Sequence, residues 1–269
     1  MPEIKSKSKP MSVPVIRLAH ADGAQGDNVL KVKRESAKIV DGNFPALLIS
    51  FVYLPSFLKN QADYYYRDWA LDSGAFSAWK SGTVIELSEY IEACLELMQT
   101  DKTLTDIFAL DVIGDHKASI KNCETMWEFG VPAIPTFHTG EPEGALFYMA
   151  KHFPKIAVGG LAGSGLSAKT QLSFCCQVFA RIWPKRIHGF GVAGKGMAMA
   201  LPFHSVDATS WEMGPCAFGN WNRFGKMSVR GSNQNLRSEV DHYLGLERLL
   251  RARWAKEMTL LERLPKVRN

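Results

Sequence analysis

The feature that most constrains the fold is a regular alternation of short apolar runs with amphipathic segments. Seven apolar runs are found, at residues 46–54, 69–77, 107–113, 132–138, 155–161, 186–192 and 204–209. Nearly continuous apolar strands that alternate with helices are typical of a parallel sheet covered by helices. With 269 residues, the chain is close to the roughly 250 residues of a TIM (β/α)8 barrel, which is the predicted fold.

The remaining elements complete this barrel. Helical periodicity predicts helices at 118–129, 143–152, 168–183 and 195–201. Ser88 is the predicted cap of an earlier helix, whose apolar stripe contains Leu87, Ile91, Cys94, Leu95 and Met98. An eighth strand is predicted near 226–230, followed by a long amphipathic helix at 236–264 with Leu244, Leu249, Leu250 and Leu261 facing inward. The predicted organisation is a basic, partly flexible segment at 1–40 and a single barrel domain at 41–269.

Composition favours a soluble protein of the cytoplasm. No stretch approaches the roughly 18 apolar residues of a membrane-spanning helix, and no apolar core follows the lysines at the start of the sequence. The five cysteines form no C-x-x-C motif and are odd in number, so neither a disulfide framework nor a zinc knuckle is indicated. A reducing compartment, the cytoplasm, fits best.

Positive charge is concentrated in the two flanks of the chain. Residues 1–38 carry a net charge of +4 and residues 236–269 carry +3, whereas the middle carries −2. Basic flanks suit a polyanionic partner such as nucleic acid, which they would bind through phosphate contacts. Solvated tails that only aid solubility are the alternative explanation.

Three aspartates, Asp72, Asp111 and Asp207, end predicted strands. Each follows an apolar run and precedes a small or turn-forming residue. Active sites of TIM barrels lie at the carboxyl ends of the strands, so all three are candidates for chemistry. Aspartate also caps helices and stabilises turns, which is the alternative for any one of them.

Two glycine-rich segments, 159–165 and 189–194, follow neighbouring strands. Glycines allow a planar ligand or a phosphate to approach the backbone closely. The second segment contains the letters of a G-x-G-x-x-G motif, but no suitable acidic residue follows about 20 positions later, and a dinucleotide fold is rejected.

His138, His188 and His204 also lie on or beside predicted strands, which raises the possibility of a metal-dependent hydrolase. The chain contains no H-x-H or H-x-x-E-H motif, so hydrogen-bonded histidines near a site are favoured and no metal is predicted. Neither a G-x-S-x-G elbow nor a recognisable Cys/His pair indicates a nucleophilic serine or cysteine.

Five motifs in order carry a resemblance to a known family. They are Asp72-Ser-Gly-Ala-Phe76, Ala109-Leu-Asp111, Gly159-Gly-Leu-Ala162, His188-Gly-Phe-Gly-Val-Ala-Gly194 and Ser205-Val-Asp207. Over residues 46–210 the chain resembles the queuine/archaeosine tRNA-guanine transglycosylases. These TIM-barrel enzymes exchange guanine in a polynucleotide for a 7-deazaguanine base without a nucleotide cofactor.

The resemblance implies a role for each motif. Asp207 would be the nucleophile that forms a covalent intermediate with the sugar, and Asp72 the general acid and base. Asp111 would accept hydrogen bonds from the Watson–Crick edge of the base. The other implied base-binding residues are Gly159, Gly160, Leu161, Phe76, Phe190, Ser73 and His138. A pair of carboxylates is suited to this reaction, because one can trap the positive charge that develops on the sugar while the other carries the proton. The target base must leave the nucleic-acid stack to reach them.

Two departures from the tRNA enzymes indicate which members of the family the chain resembles. Only Cys216 and His242 follow Asp207, so the three-cysteine, one-histidine zinc subdomain of the tRNA enzymes is missing or replaced. The glutamine that commonly assists base recognition has no clear equivalent in Pro135-Thr-Phe-His138. A short, zinc-less chain with basic flanks is similar to the phage-encoded DNA-guanine transglycosylases, which insert 7-deazaguanines that protect DNA from restriction.

The predicted partners are therefore DNA and a free 7-deazaguanine base, with no cofactor, no membrane and no prediction of oligomeric state. The basic residues expected to contact phosphates are Lys5, Lys7, Lys9, Lys31, Lys33, Arg34, Arg248, Arg251 and Arg253. A tRNA-guanine transglycosylase with the same chemistry and a non-catalytic nucleic-acid-binding barrel are the alternatives.

Overall fold

Eight parallel strands form one sheet in the computed structural model, which describes residues 14–19, 44–161, 164–212, 221–222, 225–226 and 233–262. The strands are β1 (Val15–Ala19), β2 (Ala46–Ser50), β3 (Trp69–Asp72), β4 (Leu104–Ile107), β5 (Thr136–His138), β6 (Lys155–Gly159), β7 (Arg186–Gly189) and β8 (Ser205–Ala208). Their spatial order is β4-β3-β2-β1-β8-β7-β6-β5.

The two strands at the ends of this order meet and close the sheet. Phe108 and Ile134 form a parallel bridge just after β4 and just before β5. The Ala109 N–H donates to the Ile134 carbonyl at 2.9 Å, and the Ile134 N–H donates to the Ile107 carbonyl at 2.8 Å. The chain is therefore a TIM-type α/β barrel, and the predicted fold class is confirmed.

The position of the first strand differs from the prediction. Strand β1 lies within residues 1–40, which were set apart from the barrel, and it pairs with both β2 and β8. The predicted eighth strand at 226–230 is wrong, because Gly225–Lys226 (β10) pairs antiparallel with Trp221–Asn222 (β9) outside the barrel sheet. Residues 227–230 lie outside the described residues.

Helices follow most of the strands and cover the barrel. They are α1 (Leu54–Asn60), α2 (Ala75–Ser81), α3 (Leu87–Thr100), α4 (His116–Glu128), α5 (Glu143–His152), α6 (Ala168–Ile182), α7 (Lys195–Ala200) and α8 (Asn233–Glu262). Short 3-10 turns at Phe51–Tyr53 and Gln61–Asp63 flank α1. None of the helices among the described residues combines the length and apolar character needed to cross a membrane.

Two details of the predicted helices are wrong. The N-cap of α3 is Glu86 rather than Ser88, because the helix already begins at Leu87. On α8, Leu244 and Leu250 are buried as predicted, but Leu249 is 44% exposed because it is adjacent to Leu250 and falls off the buried stripe. The side chain of Leu261 lies outside the described residues.

An ionic network fills the amino-terminal end of the barrel. The buried Arg17 guanidinium bonds Asp68 at 2.8 Å and Asp106 at 3.2 Å, and Lys155 also bonds Asp106. Above it, an apolar cluster of Ala19, Leu48, Ala70, Phe108, Ile134 and Ala157 is packed against Phe190. Paired and hydrogen-bonded charges are tolerated inside a protein, so this network can be structural, and TIM barrels carry their sites at the carboxyl ends of the strands.

Candidate active site

The three strand-end aspartates lie together at the carboxyl-terminal end of the barrel. Asp72 is the last residue of β3, Asp207 lies in β8, and Asp111 follows the end of β4 by four residues. They are close enough for their charges to interact: Asp207 raises the pKa of Asp72, and Asp72 raises the pKa of Asp111. Three carboxyl groups from separated parts of the sequence therefore share one site.

Asp207 is a buried carboxylate with one oxygen already occupied. The residue is 4% exposed, and its Oδ1 accepts the Gly191 N–H at 2.8 Å. The same Oδ1 lies 3.5 Å from Nε2 of His188. The Gly191 N–H comes from the glycine-rich segment after β7, so that segment orients the carboxylate.

Asp72 has a different environment, which raises its pKa. Burial is the main cause that raises its pKa to about 6; the Gly74 N–H, 3.2 Å from Oδ2, opposes the shift and the Asp207 charge adds to it. Gly74 begins α2 with φ of +73°, and a Cβ there would lie 2.7 Å from the Ser50 hydroxyl. Glycine is thus required for the tight turn that carries this hydrogen bond.

Asp111 belongs to a chain of three polar side chains. His138 Nε2 lies 3.5 Å from Asp111 Oδ2, and His138 Nδ1 lies 3.0 Å from Glu141 Oε1. Burial raises the pKa of Asp111 to about 7, although the His138 charge opposes the shift. Asp111 Oδ1 is buried and makes no hydrogen bond of good geometry among the described residues, although the Thr136 hydroxyl is near enough to the carboxyl to lower its pKa somewhat. Such an oxygen is suited to accept a hydrogen bond from a ligand.

The same histidine explains why Gly159 ends β6. A Cβ at Gly159 would lie 2.9 Å from Cδ2 and 3.0 Å from Nε2 of the His138 ring. Burial alone would lower the pKa of His138, but the Glu141 hydrogen bond and the Asp111 charge raise it overall. A larger residue at position 159 would therefore displace the imidazole from the carboxyl that it accompanies.

Asp111→Asn is expected to stabilise the fold at pH 8 by about 2–4 kcal/mol. A carboxyl whose folded pKa exceeds its unfolded value destabilises the folded state progressively as pH rises from about 4 to about 7. The gain should therefore shrink on lowering the pH to 5. Urea unfolding of the native protein and of Asp111→Asn at pH 5 and pH 8 measures the difference in their free energies of unfolding. The same difference at both pH values would contradict the ionisation argument.

The predicted base-binding residues are only partly brought together. Phe190 is half-buried after the end of β7, and its ring centre lies 4.7 Å from that of Phe108 and 4.6 Å from that of His188. Ser73 is buried, and its Oγ accepts the Ala75 N–H at 3.4 Å. Phe76, in contrast, is 55% exposed on α2 and stacks on Trp79 at 6.1 Å.

The remaining predicted backbone contacts follow β6. Leu161 is buried, and Gly160 adopts φ of +70° with its carbonyl accepting the Thr139 hydroxyl at 3.2 Å. That bond joins the ends of β5 and β6 beside His138. The segment after β6 is therefore fixed to the strand that carries the histidine.

The basic residues predicted to contact phosphates do not form one surface in the described part of the chain. Arg248 is exposed on α8, whereas Arg251 bonds Glu247 at 2.8 Å and the Pro14 carbonyl at 3.3 Å, at the start of β1. That position is at the amino-terminal end of the barrel, away from the aspartates. Arg253 is exposed, with its guanidinium 5.1 Å from the centre of the Trp254 ring, and the other predicted contacts, Lys5, Lys7, Lys9, Lys31, Lys33 and Arg34, lie outside the described residues.

Sequence reasoning missed three side chains of interest: His188 as a partner of Asp207, Glu141 as a partner of His138, and Trp79 beside Phe76. Only tertiary contacts distinguish the first two from ordinary polar residues. His204 precedes β8 at the opposite end, where burial lowers its pKa to about 3, so it is not part of the site. Among the described residues, no group of three His, Cys, Asp or Glu side chains is placed to hold a metal ion.

Comparison with known proteins identifies no relative by sequence. No family model matches the chain. No curated protein matches it either. Among solved structures, a mutant tryptophan synthase α-subunit from the hyperthermophile Pyrococcus furiosus is similar, with a TM-score of 0.49 and 12% identity over 87% of this chain and 98% of that chain.

Proposed function

We propose that this chain is a base-exchange transglycosylase that replaces guanine in DNA with a 7-deazaguanine base. The observation that carries the proposal is the pairing of two carboxyl groups in different environments. Asp207 has one oxygen held by a backbone N–H, and Asp72 has a pKa raised to about 6. One nucleophile and one proton carrier are the groups that a double displacement at a sugar carbon needs.

In the first step, a carboxylate oxygen of Asp207 bonds to C1′ of the nucleotide as the C1′–N9 bond breaks. The electron pair of that bond goes to the guanine, and the Asp72 carboxyl supplies the proton that the departing base takes up. In the second step, Asp72 removes the N9 proton of the incoming 7-deazaguanine, whose nitrogen attacks C1′ and releases Asp207. Two displacements retain the configuration at C1′.

Recognition of the base is assigned to Asp111 and Phe190 in the same site. The unpaired Asp111 Oδ1 is an acceptor for the N–H groups on the Watson–Crick edge of guanine. Phe190 offers a half-buried aromatic ring on which a planar base can stack. The target nucleotide must leave the DNA stack to reach these groups.

DNA is proposed as the polymer on grounds of sequence. The chain lacks the cysteines of the zinc subdomain that the tRNA enzymes carry, and both of its flanks are basic. The direct experiment incubates the protein with duplex DNA and, separately, with tRNA, each with 7-cyano-7-deazaguanine, and identifies the digested nucleosides by mass spectrometry. The modified nucleoside is expected in DNA together with released guanine. Incorporation only in tRNA would transfer the proposal to that polymer, and incorporation in neither would contradict it.

An exposed aromatic surface beside Asp72 offers a contact for neighbouring nucleotides. Phe76 and Trp79 are 55% and 60% exposed, and the Lys80 ammonium lies 4.9 Å from the centre of the Phe76 ring. Aromatic rings next to a cation bind unstacked nucleotides without sequence preference.

Trp79→Ala is expected to weaken binding of a single-stranded oligonucleotide about 10-fold, since stacking on one base is worth roughly 1–3 kcal/mol. Phe129→Ala is the matched control, because Phe129 is 61% exposed at the carboxyl end of α4. Fluorescence anisotropy with a labelled oligonucleotide measures both affinities. Equal losses in the two variants would show that Trp79 has no special role in binding.

A further inference from the structure

His188 is a buried histidine for which the two-carboxylate mechanism has no role. It lies in β7 and is 3% exposed. The Phe108 and Phe190 rings each lie 4.6 Å from its ring centre, and Phe190 meets it edge to face. Its orientation is therefore fixed by packing on two sides.

The two ring nitrogens of His188 face different groups. Nδ1 lies 2.9 Å from the Ser205 hydroxyl, whereas Nε2 is buried without a good hydrogen bond among the described residues and points to Asp207 Oδ1 at 3.5 Å. An unpaired buried polar atom destabilises the folded state, so a ring retained in this position is a candidate for a functional role.

The tautomer follows from these neighbours. Burial lowers the pKa of His188, while the Asp207 carboxylate opposes that shift; Arg17 and Asp106 act on it more weakly and in opposite directions. The imidazole is therefore neutral at neutral pH and carries one proton. A proton on Nε2 faces a carboxylate oxygen and leaves Nδ1 to accept the Ser205 O–H, whereas a proton on Nδ1 would set a lone pair against that oxygen.

We infer that His188 is a positioning residue, whose Nε2–H, together with the Gly191 N–H, holds Oδ1 of Asp207 and leaves Oδ2 as the oxygen that attacks the sugar. This inference rests on the proposed function, since it assigns a partner to the proposed nucleophile. The two oxygens of Asp207 then have different roles. The glycine-rich segment and His188 bind Oδ1, and the substrate approaches Oδ2. Ser205 fixes the tautomer from the far side of the ring.

Replacement of His188 by Asn or by Gln tests whether an N–H is needed at the position of Nε2. The Gln amide places an N–H near the position of Nε2, whereas the shorter Asn amide reaches only the position of Nδ1. His188→Asn is expected to slow formation of the covalent adduct about 10²-fold in single turnover, without changing the half-saturating oligonucleotide concentration, and His188→Gln is expected to restore most of the rate. Equal rates for the two variants would overturn the inference.

A measurement on the unsubstituted protein keeps the test independent of variant folding. Nitrogen-15 NMR of histidine-labelled protein reports which ring nitrogen of His188 carries the proton. The His188 signal is assigned as the one missing from the spectrum of His188→Gln. If that variant does not fold, Ser205→Ala, which changes only the partner of Nδ1, assigns the signal by its shift. Protonation at Nε2 is expected, and protonation at Nδ1 or at both nitrogens would overturn the inference even if base exchange occurs. If the tautomer carries its proton on Nε2 but the protein exchanges no base, the proposed function is refuted, and with it the role of His188 in positioning a nucleophile.

Discussion

Asp207→Asn is expected to abolish the covalent protein–DNA adduct and to lower base exchange by roughly 10⁴-fold or more. An amide oxygen is a far weaker nucleophile than a carboxylate oxygen, so the intermediate cannot form. The amide still offers an oxygen to the Gly191 N–H, which bonds Asp207 Oδ1 at 2.8 Å in the native protein. The loss should therefore be one of chemistry rather than of folding.

The adduct is measured with a labelled oligonucleotide on a denaturing gel, after incubation without any incoming base. Asp115→Asn is a matched control, because Asp115 caps α4 by accepting the Lys117 and Ala118 N–H groups, and asparagine caps helices equally well. The control should form the adduct at the native rate. An undiminished adduct in Asp207→Asn would remove Asp207 from the role of nucleophile.

The strand ends were predictable because a parallel barrel repeats one simple pattern. The apolar runs extend beyond their strands, since β3 ends at Asp72 and β4 at Ile107, but all three aspartates lie at or just beyond the carboxyl end of a strand and could be placed at one end before any contact was known. The predicted helix at 143–152 matches Glu143–His152, since its apolar positions recur at helical spacing. Local periodicity is sufficient for such elements.

Strand β1 was missed because its pattern contains an inward-facing arginine. Arg17 interrupts the apolar run of Val15–Ala19, and its charge is compensated by Asp68 and Asp106, which are more than 50 residues away. Without β1, the count of eight strands required another one, which was wrongly placed at 226–230. A buried ion pair is a tertiary property that local periodicity does not contain.

The same limit applies to the site. Position in the sequence could bring Phe76 near Asp72, but the structure places its ring outward on α2 against Trp79. The link from Glu141 through His138 to Asp111 joins the ends of β4 and β5, and the contact from His188 to Asp207 joins β7 and β8. Side chains on different strands acquire these relations only when the barrel closes.

Asp72→Asn is expected to slow both half-reactions by about 10²–10⁴-fold while leaving Asp207 able to act as nucleophile. The native enzyme should show opposite pH dependences in the two steps, because the pKa of Asp72 is raised to about 6. Adduct formation needs the protonated carboxyl and should slow as pH rises above about 6. Discharge of the adduct by a 7-deazaguanine needs the carboxylate and should slow as pH falls, at a lower pH than the first step, because the esterified Asp207 no longer contributes its charge.

Single-turnover rates of adduct formation and of adduct discharge, measured separately between pH 5 and pH 8, test this assignment. Both dependences should disappear in Asp72→Asn, since the amide does not titrate, whereas Asp115→Asn should retain them. If the variant kept the two opposite limbs near pH 6, another group would carry the proton. Asp111, with its pKa raised to about 7, would then be the next residue to replace, because it is the other carboxyl of the site that titrates near neutral pH.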